Sequence, residues 1–114
     1  MMTKTIRYES IRTLNEMLSG AGIPHVFAPD GDGWKVVYPE ADKKKIRCVA
    51  RQHRFSRGTE EDKIEIVGLL TEEERMTDTG TRAAVGGGFE PLEVCRRIIE
   101  DYENYKHNEV QHNV

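Results

Sequence analysis

HVFAPDGDGWKVVYP, residues 25–39, is the stretch whose reading decides the fold. HVFAP and WKVVYP are short β-compatible runs. Between them Asp30-Gly31-Asp32-Gly33 supplies two glycines tolerant of positive φ and two short acids that favour turns, which predicts an antiparallel hairpin. With Pro29 facing Trp34, Phe27 falls opposite Val36 and His25 opposite Tyr38. That register collects the aromatic residues on one face and leaves Val26, Ala28 and Val37 behind. The aromatic face is the expected core side, with His25 a hydrogen-bonded neighbour of Tyr38.

Upstream, from about Ile6 to Ser19, the residues Ile11, Leu14, Met17 and Leu18 recur at spacings of three and four while Arg12, Asn15 and Glu16 take the other side, as in an amphipathic helix. Gly20 and Gly22 can end it in a left-handed conformation, and Pro24 forbids its continuation. Downstream, Ile46 to Phe55 predicts a third strand. Ile46, Cys48 and Ala50 share one of its faces, and Arg47, Val49, Arg51, His53 and Phe55 the other. Ser56 to Asp62 turns the chain into a fourth strand over Lys63 to Leu70, paired antiparallel with the third. Thr71 and Glu74 have capping-box spacing for a short helical turn, which the turn-like Thr77 to Gly80 ends. Ala83 to Val85 is the one short extended piece expected in Thr81 to Gly88. From Pro91 onward, Leu92, Cys95, Ile98, Ile99 and Tyr102 form the apolar stripe of a second long helix. Residues 1–105 thus read as one α+β domain of two layers, an antiparallel sheet of about four strands with both amphipathic helices on one face. Residues 106–114 read as a polar, frayed tail.

Composition narrows the function. A chain of 114 residues has room for one core, and 37% hydrophobic residues are enough to fill it. No run approaches the roughly 20 apolar residues of a membrane span, and the opening MMTKTIRYES has no apolar signal segment, so a cytoplasmic protein without membrane contact is expected. Cys48 and Cys95 lack neighbouring ligand pairs and read as reduced core thiols. The net charge of −3 hides a strong segregation. Residues 43–57 hold Lys43, Lys44, Lys45, Arg47, Arg51, Arg54 and Arg57 with no acid, whereas residues 1–42 carry −2 and 58–114 carry −8.

No motif in the chain points to catalysis, a metal or a cofactor. Asp30-Gly31-Asp32-Gly33 resembles the start of a calcium loop, yet the twelfth position is Ala41 where a bidentate Glu is needed. Gly86-Gly87-Gly88 precedes a helix but lacks the Gly-Lys-Ser/Thr ending of a phosphate loop, and a flexible connection or tight packing of the chain against the sheet explains it better. His25, His53, His107 and His112 have no metal-ligand spacing. Asp62, Lys63 and Glu65 offer acids and a lysine on one strand without the spacing of a metal nuclease. The basic segment is the candidate binding site. Arg47, Arg51, His53 and Phe55 share its predicted strand face, with Arg57 beyond, a set able to pair with phosphate and stack on a flat group. Against this, antiparallel pairing brings Glu65 close to Arg51 or His53 and neutralises part of the charge.

Taken together, LNEMLSGAGIPHVF, GDGWKVVYP, FSRGTEEDKIEIVGLLTEEE and the helix start GFEPLEVCRRI resemble a group of small uncharacterised proteins encoded in phages and prophages of Gram-positive bacteria. The similarity runs from about Leu14 to Ile99, with Thr77 to Gly88 longer and richer in glycine than the pattern. The resemblance implies an accessory protein of a mobile element, acting by binding a host protein of a defence or regulatory system. A nucleic acid or nucleotide is the other partner class, although a pI near 5.8 is low for a general nucleic-acid binder. A homodimer formed through a sheet edge or the partly covered Arg47, Val49 and Phe55 face is also expected, assisted by acids such as Glu72 to Glu74.

Overall fold

The computed structural model describes residues 8–76 and 84–112, with side chains through residue 105. Helix α1 spans Glu9–Gly20, and its periodic Ile11, Leu14 and Leu18 are buried. Of the two glycines near its end, Gly22 takes the left-handed conformation, with φ of 70°, while Gly20 stays helical. Ile6 and the expected first turn before residue 8 lie outside the described residues.

Strands β1 (Val26–Asp30) and β2 (Gly33–Tyr38) pair in the expected register, with Pro29 opposite Trp34 and Phe27 opposite Val36. Phe27 and Trp34 stack with ring centroids 4.8 Å apart. The ladder ends at Val26 and Val37, so His25 is not paired with Tyr38. Instead, its ring bonds the Ile23 carbonyl and Asn15 Oδ1, each at 2.7 Å.

The sheet continues through β3 (Cys48–Gln52) and β4 (Ile64–Val67), then closes with β5 (Val85–Phe89). Its order is β1-β2-β3-β4-β5, every neighbouring pair antiparallel. There are five strands where about four are expected, because the Gly86 to Gly88 run is itself a strand. Close packing selects those glycines: a Cβ on Gly87 would collide with the Arg57 side chain, and one on Gly86 would press on Leu70 and Phe89. Strand β4 is shorter than expected because Gly68 and Leu69 both turn to positive φ.

Thr71 and Glu74 form the capping box that opens the short helix α2 (Glu72–Arg75). The turn expected at 77–80 and the beginning of the extended piece at 83 lie outside the described residues. Helix α3 runs Pro91–His112, so its backbone passes residue 105, where the frayed tail is expected to begin, and no Gly or Pro interrupts it. Helices α1 and α3 lie on the aromatic face. There Ile11, Leu14, Leu18, Val94, Cys95 and Ile98 join Val36, Tyr38, Cys48, Ala50, Ile64 and Ile66 in one core. Both cysteines are free and buried, and burial pushes the Cys48 thiol up to about 12.

Candidate functional site

Of the five residues that sequence places together, the structure keeps Arg51 and His53 beside Asp30 and Arg57 beside Glu65, while Arg47 leaves the group and Phe55 turns outward. Strand β3 stops at Gln52, not near Phe55, because the His53 carbonyl turns to local donors: the Ser56 backbone N–H at 2.9 Å, the Ser56 hydroxyl at 2.9 Å and the Thr59 hydroxyl at 2.7 Å. Arg47 precedes the strand and leaves its predicted face altogether. Its guanidinium grips Asp101 on α3 through Nε at 2.5 Å and Nη2 at 2.8 Å, and the Tyr38 hydroxyl donates to the same carboxylate at 2.9 Å. The hydrogen bonds from Arg47 hold the Asp101 carboxyl below its usual range. Burial, reinforced by Asp101, raises Tyr38. This triad fastens α3 to the sheet.

Arg51 does lie on the sheet face opposite the helices, directly between Lys35 and Glu65 in the ladder. Its Nε sits 3.7 Å from Asp30 and 3.9 Å from Glu65, while His53 Nε2 is 3.8 Å from Asp30. The sheet thus supplies local counter-charges to the middle of the basic segment. Those distances exceed hydrogen-bond length, and Asp30 Oδ2 and Arg51 Nε are buried with no hydrogen-bond partner.

Beyond the strand, residues 53–59 form a pinned turn. The Arg54 backbone N–H donates to Asp32 at 3.0 Å, and the Tyr8 hydroxyl donates to the same side chain. The Arg54 bond, followed by the Tyr8 bond, lowers the Asp32 carboxyl, while Tyr8 is raised chiefly by that hydrogen bond. Phe55 N–H donates to His53 Nδ1 at 3.1 Å, which leaves Nε2 on the side of Asp30. Arg57 is tied by its backbone N–H to Glu65 and by Nη1 to the Val85 carbonyl, each at 3.2 Å. Phe55 itself points out, 80% exposed, with the Arg54 guanidinium 4.9 Å from its ring centroid. Arg54 completes this group, although alternation along a strand had no place for it.

Asp62, Lys63 and Glu65 do not converge. Asp62 ends the 3₁₀ turn Thr59–Glu61 ahead of β4, and its Oδ1 accepts from the Ser10 backbone N–H at 3.2 Å and from Gln52 Nε2 at 2.6 Å. Lys63 pairs with Glu90 at 2.7 Å, and Glu65 receives Arg57. Glu74, one of the acids expected to assist dimerisation, is held by both Nη atoms of Arg97 at 2.6 Å. Among the described residues no group of His, Cys, Asp and Glu is arranged to hold a metal ion, and no helix is long and apolar enough to cross a membrane.

At the other end of the basic segment Lys44, Lys45, Arg47, Pro39, Glu40 and Tyr105 enclose a hollow of about 340 Å³. Lys45 leans on Glu40 at 3.6 Å, and Arg47 lies 5.9 Å from the Tyr105 ring centroid. No family model, curated protein or solved structure matches this chain.

Proposed function

We propose that the protein works by binding rather than by catalysis, as a phage or prophage accessory protein in the host cytoplasm. Its partner in this reading is a host protein of a defence or regulatory system, and the contact is the turn carrying Arg54, Phe55 and Arg57. The observation that carries this is Phe55: a large apolar side chain 80% exposed on a turn already fixed by hydrogen bonds. Aromatic and arginine side chains dominate binding hot spots, and a contact ordered before binding loses less conformational freedom on association. The flanking guanidiniums favour an apolar hollow rimmed by acids.

Capture from a Gram-positive host lysate with quantitative mass spectrometry tests this. Phe55→Ala is expected to weaken capture by about 30-fold or more, since a hot-spot side chain contributes about 2 kcal/mol or more. Its circular dichroism and Tm are expected to match the wild type, because Phe55 supports no core contact. A partner retained equally by the variant rules this contact out.

One observation favours a second reading, the hollow at Lys44, Lys45, Arg47 and Tyr105. Cations beside an exposed ring suit the phosphate and base of a nucleotide, and about 340 Å³ is within the range of small-ligand sites. Fluorescent ATP at low salt is expected to bind saturably and to be released as salt rises, and Lys44→Glu or Tyr105→Ala removes the binding. The absence of any saturable signal excludes this site.

A further inference from the structure

One side-chain acceptor sets the pose of Phe55. Its N–H donates to Nδ1 of His53, two positions back, at 3.1 Å. Asn and Asp side chains close turns in the same way, by accepting the N–H two residues on. Histidine in that place differs in one respect. Nδ1 accepts only while it carries no proton, and an imidazolium has an N–H on both nitrogens and accepts at neither.

The far side of the ring has the complementary arrangement. His53 Nε2 lies 3.8 Å from Asp30 Oδ2, beyond hydrogen-bond reach, and that oxygen is buried with no hydrogen-bond partner. Arg51 Nε, 3.7 Å from the same carboxylate and 3.9 Å from Glu65, is likewise without a partner. A buried carboxylate oxygen lacking a donor is costly, and a charged imidazole N–H is a strong donor. The His53 side chain is 17% exposed, so protons reach it from solvent.

We propose that His53 is a proton-operated latch on the Phe55 turn. Uncharged, the ring holds the Phe55 N–H. Protonated, it opposes one N–H to another at Phe55, releases that amide and closes on Asp30. The inference rests on the reading of Phe55 as the partner contact and adds its regulation: the contact is ordered at neutral pH and loosened in mild acid. The release is local, because the His53 carbonyl keeps its bonds to Ser56 and Thr59.

The other charged groups around the ring hold their charge over that interval. On the sheet, Lys35 lies beside Arg51 in the ladder and Glu65 takes the Arg57 N–H. In the facing hairpin turn Asp32 takes the Arg54 N–H and the Tyr8 hydroxyl, and Lys63 at the start of β4 pairs with Glu90. Carboxylates ordinarily titrate below about pH 5 and phenols, ammonium and guanidinium groups near or above about pH 10, which leaves imidazole to change between.

Nuclear magnetic resonance of the full chain from about pH 8 to 5 tests this without a partner. The Phe55 amide proton is expected to lose its hydrogen-bonded shift, and about fivefold of its exchange protection, along the same curve as the His53 ring protons. His53→Asn keeps an acceptor for the Phe55 N–H that does not titrate, so its Phe55 amide is expected to stay protected throughout. His53→Ala is expected to show the released amide at every pH. Neither variant removes a core side chain. A Phe55 amide unchanged while His53 titrates overturns the latch, as does a His53 ring that does not titrate in this range. So does a His53→Asn amide that follows pH like the wild type. Each of these results leaves the Phe55 contact itself to be decided by capture with Phe55→Ala.

Discussion

Replacing Gln52 with leucine is expected to destabilise the fold by about 2–4 kcal/mol, although it puts an apolar side chain into a fully buried position. Gln52 joins the sheet to the first helix. Its Oε1 accepts the Ile11 backbone N–H at 3.0 Å and its Nε2 donates to Asp62 at 2.6 Å, while Asp62 also accepts the Ser10 N–H. These amides open α1, where no side chain at the N-cap residue Tyr8 bonds to them. Leucine leaves the Ile11 N–H buried without an acceptor, and its apolar atoms cannot replace that bond. Urea denaturation followed by circular dichroism checks this, and a leucine variant within about 0.5 kcal/mol of the wild type contradicts it. Asp62→Asn retains an acceptor and tolerates the φ of 56° found there, so its expected cost is smaller, about 1 kcal/mol.

Arg97→Ala is expected to cost about 2–3 kcal/mol at neutral pH and to change how stability falls in acid. Arg97 joins three elements: it grips Glu74 of α2 through two 2.6 Å bonds, donates to the Leu69 carbonyl at 3.0 Å, and stacks 4.7 Å from the Phe89 ring centroid on β5. Its hydrogen bonds to Glu74 pull that carboxyl down to about 2 from an ordinary 4.5. A carboxyl depressed in the folded state adds stability that is complete above its unfolded pKa and is lost as pH falls through the folded value. The wild type therefore loses the Glu74 contribution between about pH 4.5 and 2, with Asp101 and Asp32 acting in the same direction. In Arg97→Ala the Glu74 part of that slope shrinks to what the Thr71 hydrogen bonds sustain. Urea midpoints measured from neutral to acid pH check both effects, and parallel pH profiles for the two proteins contradict the assignment.

Features with local causes are legible in the sequence. Helical spacing identifies Ile11, Leu14 and Leu18, the Asp30 to Gly33 turn sets the hairpin register, and Thr71 with Glu74 marks α2. Features with distant causes are not. Strand β5 is hidden because Gly86 to Gly88 present no side chains to alternate, and its selection by Arg57 and Leu70 acts across the fold. The end of β3 is decided by two hydroxyls, Ser56 and Thr59, folding back on the His53 carbonyl, while the residue pattern continues to Phe55. At the candidate site, the neutralisation of Arg51 by Glu65 follows from strand pairing and is legible. The pairing of Arg47 with Asp101, 54 positions away, is not. The row of Val26, Val37, Val49, Val67 and Val85 across the sheet lies between these cases: Val26 and Val37 share a face on sequence grounds, and the remaining three join once all four registers are known.

The order of strands along the chain also governs how the protein assembles during synthesis. Each ladder joins consecutive strands, so closure of the sheet proceeds through short loops and favours early hairpins. Helix α1 leaves the ribosome ahead of the sheet but finds its amide acceptors only when Gln52 and Asp62 have followed, and its helical neighbour α3 emerges after the sheet. The nascent meander therefore precedes a docked α1, and the apolar stripe of Ile11, Leu14 and Leu18 waits exposed in the interval. Partners that shield nascent apolar helices have most to act on in that interval, before α3 covers the sheet.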